Sequence, residues 1–251
     1  MELDIKATPK TEMARRPLSR TRQFLFHAYW NGPRRLLPEG APVLYAGIPI
    51  RMTRKFGDLK IPPLAKRLRD IPEYEDALVT GLRRHALAGD RVVIVGGGWG
   101  VTAVIAALAI GESGSVVCFE GAEDNVEKVR WAASRSGVAD RLNVMHAVVG
   151  ASIQVYSEGV EGTLFEPEDL PECDLLQLDC EGAEIPILMR MKIRPRAVIV
   201  ETHGFLGSST NTVERLLVDL GYRIVTKTVA ESSLETMCVD RDVFVVVGLK
   251  E

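Results

Sequence analysis

A glycine-rich turn and an acid that follows it are the first residues with a pattern that could do chemistry. Residues 96–100 (GGGWG) come directly after the apolar run 92–95, and such a cluster lets a ligand approach the backbone closely. Glu120 lies about 20 residues further on, where a carboxylate can accept hydrogen bonds from both hydroxyls of a ribose. Their spacing predicts a site for a nucleoside-containing cofactor, whereas tight strand-to-helix packing alone is the structural alternative.

A second pattern is the acidic segment 173–184 (CDLLQLDCEGAE). Asp179, Glu181 and Glu184 follow an apolar run and precede a stretch of helical composition. A carboxylate at the start of a helix interacts favourably with the helix dipole, so capping alone could explain Glu181 or Glu184. Asp179 lies at the end of the strand itself, and we interpret it as functional.

The elements around these residues alternate between short continuous apolar runs and helical segments. The runs are 92–95, 116–119, 142–149, 175–178 and 197–200, and the helical segments are 101–110, 125–136 and 185–191. This alternation predicts a doubly wound α/β fold, with a parallel sheet covered on both faces. Ligands of such sheets bind beyond the carboxyl ends of the strands, where the glycine turn and the helix start offer free backbone N–H groups.

The two ends of the chain differ from this regular middle part. The last two strands, 222–228 and 243–249, are joined without a convincing helix, so we predict that they pair antiparallel. Residues 1–22 are predicted as a flexible arm, 23–88 as an N-terminal cap or extension, and 89–251 as a Rossmann-like domain. Within the cap, we expect a strand pair or irregular segment at 41–57 and helices at 61–70 and 72–88.

Composition limits the class of protein. Hydrophobic residues make up 46% and charged residues 26% of the 251 residues, as in soluble globular proteins. The longest apolar run, 101–110, is about half of the ~20 residues that a membrane-spanning helix needs. The sequence start lacks the pattern of a secretory signal, and the four cysteines lack the close-paired spacing of a metal site. We therefore predict reduced thiols and a cytoplasmic location.

Charge is unevenly distributed along the chain. Residues 1–90 carry 17 Lys and Arg against 10 Asp and Glu, whereas residues 91–251 carry 14 against 24. The basic part lacks interleaved aromatic residues and RNA-binding signatures, so we predict a small-molecule partner rather than nucleic acid or a membrane. The sequence leaves the oligomeric state open, with a homodimer as one alternative.

Four segments together resemble the FkbM family of S-adenosylmethionine-dependent methyltransferases. They are VGGGWG (95–100), CFEGAEDN (118–125), LDCEGAE (178–184) and VETHG (200–204), and the likeness spans about residues 74–249. The resemblance implies seven strands in the order 3-2-1-4-5-7-6, with strand seven antiparallel. Two positions depart from the family pattern, because Ile94 stands where an acid is usual and Gly98 where Asn is usual.

The resemblance also implies roles for individual residues. The cofactor, S-adenosylmethionine, would be bound by Gly96, Gly97, Gly98, Trp99, Gly100, Glu120, Gly121, Ala147, Val148 and Asp179, with Trp99 either covering it or plugging the domain. The methyl acceptor would face Asp179, Glu181, Glu201 and His203. The prediction assigns no metal, although Asp179, Glu181 and His203 form a conceivable site.

Methyl transfer from a sulfonium to a hydroxyl needs in-line positioning and a base. His203 is the natural base because an imidazole titrates near neutral pH, and Asp179 is the next candidate. We therefore predict an O-methyltransferase that acts on a small-molecule or sugar hydroxyl. Two alternatives stay open: an NAD-dependent oxidoreductase, since Gly98, Gly100 and Ala103 satisfy the dinucleotide fingerprint, and a non-catalytic cofactor-binding module.

Overall fold

The structure, a computed structural model, describes residues 43–51, 70–150 and 162–250. These residues all belong to one compact unit of the chain. The predicted arm at 1–22, most of the predicted cap at 23–88 and the predicted helix at 61–70, apart from Asp70, lie outside the described residues. The domain boundary at residue 88 therefore stays a prediction.

Three short strands form a small sheet ahead of the main domain. Strand β1 (Val43–Tyr45) pairs antiparallel with β2 (Ile48–Ile50) and parallel with β3 (Asp70–Ile71). The antiparallel pair agrees with the strand pair expected at 41–57. Asp70, predicted at the end of a helix, instead begins β3.

An eight-stranded sheet forms the main domain. Its strands are β4 (Arg91–Val95), β5 (Ser115–Glu120), β6 (Leu142–Val149), β7 (Thr163–Phe165), β8 (Leu175–Leu178), β9 (Ala197–Glu201), β10 (Arg223–Val229) and β11 (Phe244–Leu249). They lie in the order β10-β11-β9-β8-β4-β5-β6-β7, and within this sheet only β11 runs opposite to the other seven strands. The predicted doubly wound sheet and its 3-2-1-4-5-7-6 order are confirmed for the seven expected strands.

The eighth strand, β7, corrects the predicted strand number. It extends the edge of the sheet by pairing parallel with β6, from Ala147 opposite Thr163 to Val149 opposite Phe165. The strand has only three residues, and its central Leu164 is 62% exposed. Such a short edge strand has no apolar run for sequence reasoning to detect.

The described residues form six α-helices beside the strands: α1 (Asp76–His85), α2 (Val101–Ile110), α3 (Glu123–Arg135), α4 (Glu184–Arg190), α5 (Thr210–Asp219) and α6 (Glu235–Arg241). Helix α6 corrects the prediction that β10 and β11 are joined without a helix. It spans seven residues, of which only Cys238 is buried, so it lacks an apolar stripe in the sequence. Among the described residues, no helix is long and apolar enough to span a bilayer.

The core lies on both faces of the main sheet. On one face, Val92 and Ile94 of β4 share a cluster with residues of α1, α2 and α3. On the other, Val93 and Val95 share a cluster with residues of α4 and α5. Because water reaches neither face, strand residues of both orientations are apolar, which explains the continuous runs in the sequence.

Candidate active site

The glycine turn after β4 is built mainly for close packing. Gly96 has a φ of +97°, and a side chain there would overlap the carbonyl oxygen of Asp179. A Cβ atom on Gly97 would lie 2.8 Å from Cys118 Sγ, and one on Gly100 would lie 2.9 Å from the Cα atom of Val129. These three glycines therefore let the turn approach β5, α3 and the end of β8.

Gly98 differs from the other glycines of the turn. A Cβ atom there would have no atom of the described residues within 4 Å, and its φ is +49°. As far as the described residues show, the turn thus faces open space at this position. A ligand that approaches the backbone would meet it here.

Glu120, at the end of β5, is hydrogen-bonded to the turn. Glu120 is buried, with 5% exposure. Its Oε2 atom accepts hydrogen bonds from the N–H groups of Gly97 (2.9 Å) and Gly98 (2.7 Å). Oε1 accepts the N–H of Ala122 at 2.8 Å and, more weakly, the Asn125 amide at 3.4 Å. The carboxylate therefore holds the turn in place from within the predicted crevice.

This arrangement corrects the expectation of free N–H groups in the glycine turn. The N–H of Gly96 donates to the Phe119 carbonyl at 2.9 Å, and that of Gly100 donates to the Gly97 carbonyl at 2.8 Å. With Glu120 accepting the two between them, all four glycine N–H groups have partners within the protein. These N–H groups in turn give the buried Glu120 carboxylate the hydrogen-bond partners that a buried polar group needs.

Trp99 points toward the small N-terminal sheet. Its half-buried ring lies edge-on to Tyr45, with ring centroids 6.5 Å apart, and Tyr45 stacks on Tyr74 at 4.2 Å. The Nζ atom of Lys128 lies 4.6 Å from the centroid of the indole ring. These contacts favour the interpretation of Trp99 as a plug of the domain, and its contact with a cofactor stays a prediction.

The remaining predicted cofactor residues lie toward the sheet edge. The carbonyl of Gly121 accepts the N–H of Gly162 at 2.7 Å. Ala147 and Val148 belong to β6, and Ala147 is buried one residue beyond His146, the partner of Glu120 in the β5–β6 register. Their strand ends beside that of Glu120, while a contact with adenine stays a prediction.

The four predicted catalytic residues are brought together around one imidazole. His203 is 4% exposed, and its Nε2 atom lies 3.7 Å from Asp179 Oδ1, 3.8 Å from Glu181 Oε2 and 3.7 Å from Glu201 Oε1. Asp179 and Glu181 follow β8, Glu201 is the last residue of β9 and His203 follows it, and these two strands are adjacent and parallel. Their carboxyl ends therefore meet at the same edge of the sheet.

Glu184 is a fifth member of this group, which sequence reasoning left as a capping residue. It is fully buried, and its Oε1 atom lies 2.9 Å from His203 Nδ1. The same oxygen accepts the N–H groups of Cys180 (3.0 Å) and Gly182 (3.2 Å). The contact with His203 joins segments that follow two different strands, so no local sequence signal could distinguish a helix-capping role of Glu184 from a role in orienting the imidazole.

Burial and mutual charge shift the pKa values of this group. Burial opposes protonation of His203, but its hydrogen bond to Glu184 and the charge of Asp179 raise the pKa of the imidazole to about 9. Burial, opposed by His203, raises the pKa of Asp179 above its ordinary value. Burial and the charge of Asp179 likewise raise the pKa of Glu201. The buried site thus favours the neutral forms of Asp179 and Glu201 and the protonated form of the imidazole.

Glu75 extends the acidic group from a distant part of the sequence. It precedes α1 with a φ of +46°, and burial together with the charge of Asp179 raises its pKa. Nothing in the sequence near Glu75 indicates this position. The residue reaches the site only because α1 packs against β9.

Residues close to the end of the chain hold the segment that carries His203. Asp242 accepts the N–H and Oγ1–H of Thr210, at 3.0 and 2.6 Å, and its carbonyl accepts the N–H of Gly204 at 3.0 Å. The hydroxyl oxygens of Thr202 and Thr210 lie 2.7 Å apart. His203 thus lies between Thr202 and Gly204, which are held from β11 and from the loop before it.

Three of these side chains have the geometry of a possible ligand set for a cation. Asp179, Glu201 and His203 each offer one atom, and these atoms lie within 4.8 Å of one another. The set differs from the conceivable site in the sequence analysis, because Glu201 replaces Glu181.

Comparison with known proteins finds one family model and several solved structures with a similar fold. Residues 101–224 match the family model described as the methyltransferase FkbM domain. A ribosomal protein L11 methylase structure from Lactobacillus delbrueckii subsp. bulgaricus has a TM-score of 0.50 and 14% identity, over 76% of this chain and 90% of that one. The comparison with curated proteins found no match.

Two further solved structures are similar at lower scores. An S-adenosylmethionine-dependent O-methyltransferase from Thermotoga maritima has a TM-score of 0.45 and 16% identity, over 70% of this chain. This chain spans 64% of the length of that protein. An O-methyltransferase from Bacillus cereus, in complex with S-adenosylhomocysteine, has a TM-score of 0.43 and 16% identity, over 77% of this chain and 86% of that one.

Proposed function

We propose, from the premise that residues 101–224 match the methyltransferase FkbM domain, that this chain is an S-adenosylmethionine-dependent methyltransferase that acts on oxygen. One observation carries the proposal: the open position at Gly98, the Glu120 carboxylate and the His203 cluster lie at the carboxyl ends of neighbouring strands. In a doubly wound sheet this edge is where ligands bind.

The residues at this edge fit an adenosyl cofactor after one exchange of partners. Three of the four hydrogen bonds to Glu120 are 2.9 Å or shorter, whereas the bond from Asn125 is 3.4 Å. A ribose hydroxyl can replace this weakest donor, because a carboxylate has about four acceptor positions. The space beside Gly98 supports the approach of the rest of the cofactor to the turn.

The cofactor, when bound, supplies a methyl group on a sulfonium, whose C–S electron pair stays with the sulfur as the acceptor oxygen forms the new C–O bond. The protein has to hold the acceptor hydroxyl in line and take up its proton. His203 and Asp179 are the predicted proton acceptors. Asp179 is the better placed of the two, because the raised pKa of His203, about 9, favours the protonated imidazole at neutral pH. Glu184 fixes the orientation of the imidazole through Nδ1.

The acceptor is proposed to be a small molecule with a neutral hydroxyl, such as a sugar. Carboxylates accept hydrogen bonds from hydroxyl groups, and three of them surround His203 Nε2. Whether charged or neutral, these carboxyl groups offer no attraction to an acidic acceptor. This supports a polyhydroxylated acceptor rather than one that carries phosphate or carboxylate groups.

A cytoplasmic location is part of the proposal. The four cysteines are free, and Cys118, Cys173 and Cys238 are buried. Unpaired thiols are typical of proteins from a reducing compartment.

Thermal melting with S-adenosylhomocysteine tests the proposal. A ligand at 100 times its Kd stabilises the folded state by about 2.7 kcal/mol, so the melting temperature should rise. Glu120→Ala should abolish this rise, while Glu123→Ala, on the exposed start of α3, should retain it. Glu120→Gln serves as a second variant, because it keeps part of the hydrogen bonding that holds the turn.

The same assay distinguishes the alternatives. A rise with NADH and none with S-adenosylhomocysteine would support an oxidoreductase. A chain that responds to neither compound, with its melting transition otherwise intact, would contradict the methyltransferase proposal.

A further inference from the structure

We propose that Asp179, Glu201 and His203 form a binding site for one divalent transition-metal ion. The site uses Asp179 Oδ1, Glu201 Oε1 and His203 Nε2, at the carboxyl ends of β8 and β9. The ion binding itself is independent of methyl transfer. Its role next to an acceptor hydroxyl rests on the proposed function.

The distances around His203 suit a shared ion better than direct hydrogen bonds. The Nε2 atom lies 3.7 Å from both Asp179 Oδ1 and Glu201 Oε1, which is too long for a hydrogen bond. Two ligands at about 2.1 Å from one ion can be at most about 4.2 Å apart. Both separations therefore fall within the span that one ion can bridge.

The orientation of the imidazole is the second argument. Its Nδ1 atom faces Glu184 Oε1 at 2.9 Å, so the Nδ1–H donates to a buried carboxylate and Nε2 is directed at the other two acids. Histidines that bind metals usually donate their second N–H to a carboxylate in this way. An ion that binds at Nε2 takes the place of the Nε2 proton and leaves the bond to Glu184 intact.

Unpartnered polar atoms in Glu201 and in β8, two residues before Asp179, give independent support. The Oε2 atom of Glu201 is buried and has no hydrogen-bond partner within the described residues. Gln177 is fully buried, with 0% exposure. Neither the nitrogen nor the oxygen of its side-chain amide has a hydrogen-bond partner among the described residues. It lies opposite Ile199 and two residues before Asp179, so the strand pleat puts it on the sheet face of Asp179 and Glu201. Buried polar groups usually have partners, and an ion with its bound water would supply them.

The donor set indicates the class of ion. One imidazole nitrogen and two carboxylate oxygens suit Mn²⁺, Fe²⁺ or Zn²⁺ better than Ca²⁺, which takes six to eight oxygen ligands. Three protein ligands leave positions for water or an acceptor oxygen. With an acceptor bound there, the ion would lower the pKa of the hydroxyl and help it to lose its proton.

Titration of the full-length, chelator-treated protein with Mn²⁺ tests the site, with free Mn²⁺ followed by electron paramagnetic resonance. The wild-type protein should bind one ion in a saturable manner. Glu201→Gln and Asp179→Asn should each weaken binding at least about tenfold, because each replaces an anionic carboxylate ligand with a neutral amide. The matched control is Glu181→Gln, which removes the same charge from a 40% exposed side chain and should weaken binding less than about fivefold.

Two results would overturn the proposal: no one-to-one binding to the wild-type protein, or equal weakening by Glu181→Gln and Glu201→Gln, which would indicate a diffuse acidic surface. The melting transition of each variant without metal shows whether it is folded. If one of the two ligand variants does not fold, the other still tests the site. Stabilisation by S-adenosylhomocysteine without Mn²⁺ binding would refute the metal site alone. Mn²⁺ binding without that stabilisation would refute the proposed function and leave the metal site standing.

Discussion

Glu184 and His203 form a buried carboxylate–imidazole pair that links the segments after two neighbouring strands. The Oε1 and Nδ1 atoms lie 2.9 Å apart, and the same oxygen accepts two backbone N–H groups after β8. One carboxylate oxygen thus sets both the path of the backbone after β8 and the direction of the imidazole after β9.

We expect Glu184→Gln to lower the free energy of unfolding by about 1–3 kcal/mol, because a buried acceptor of three hydrogen bonds loses its charge. Urea denaturation measures this change. The affinity for Mn²⁺ should also fall, by about 10-fold to 100-fold, since the imidazole is no longer held. An unchanged affinity in a folded Glu184→Gln protein would show that the pair does not position the ring.

Gly96→Ala should impair folding, whereas Gly98→Ala should mainly impair cofactor binding. A methyl group on Gly96 overlaps the Asp179 carbonyl, so we expect little folded protein. A methyl group on Gly98 meets no described atom and should cost only about 1–2 kcal/mol for its left-handed backbone. Gly98→Ala should therefore fold but bind S-adenosylhomocysteine more weakly, as isothermal titration calorimetry can measure. Full affinity in this variant would place the cofactor away from Gly98.

Gln177→Met should stabilise the metal-free protein. An unpartnered buried amide costs about 1–3 kcal/mol, and methionine fills a similar volume without polar atoms. Chemical denaturation after chelator treatment should show the increase, with Leu176→Met on the same strand as a control for side-chain shape. A loss of stability in Gln177→Met would mean that the amide has a partner in the folded protein.

Asp174 should make stability depend on pH in the acid range. Its hydrogen bonds with the Arg91 side chain and backbone lower the pKa of the carboxyl, so the folded state favours the charged form. The contribution is present above the unfolded pKa of about 3.9 and is lost as pH falls through the lower folded pKa. Because the side chain is 37% exposed, we expect no more than about 1 kcal/mol.

Denaturation of the wild-type protein and of Asp174→Asn across this pH range measures the effect. The difference between them should be constant near neutral pH and shrink in acid. Arg91→Gln, which removes the partner, should reduce the same pH dependence. A difference that grows in acid would contradict the sign of the pKa shift.

The central sheet could be predicted because both of its faces are covered. Each inner strand, such as β4 with four buried residues in succession, is a continuous apolar run, and helices separate the runs. Strand β7 and helix α6 could not be predicted, because each is short and largely exposed. Tertiary pairing at the sheet edge, rather than local pattern, determines their structure.

The site was predictable only in part, for a related reason. Asp179 and His203 follow inner strands, so the parallel topology alone indicates that they meet. Glu75 reaches the cluster through the packing of α1, and no residue next to it carries that information. The loss of free N–H groups in the glycine turn also depends on a side-chain rotamer, since Glu120 could have pointed elsewhere.

The clamp that Asp242 makes on Thr210 and Gly204 means that the chemistry is assembled late. A ribosome has to deliver some forty residues beyond the imidazole before that ring can be locked into place. A chain truncated before Asp242 would carry the acidic side chains and His203 but would lack the contacts that hold the segment around the imidazole.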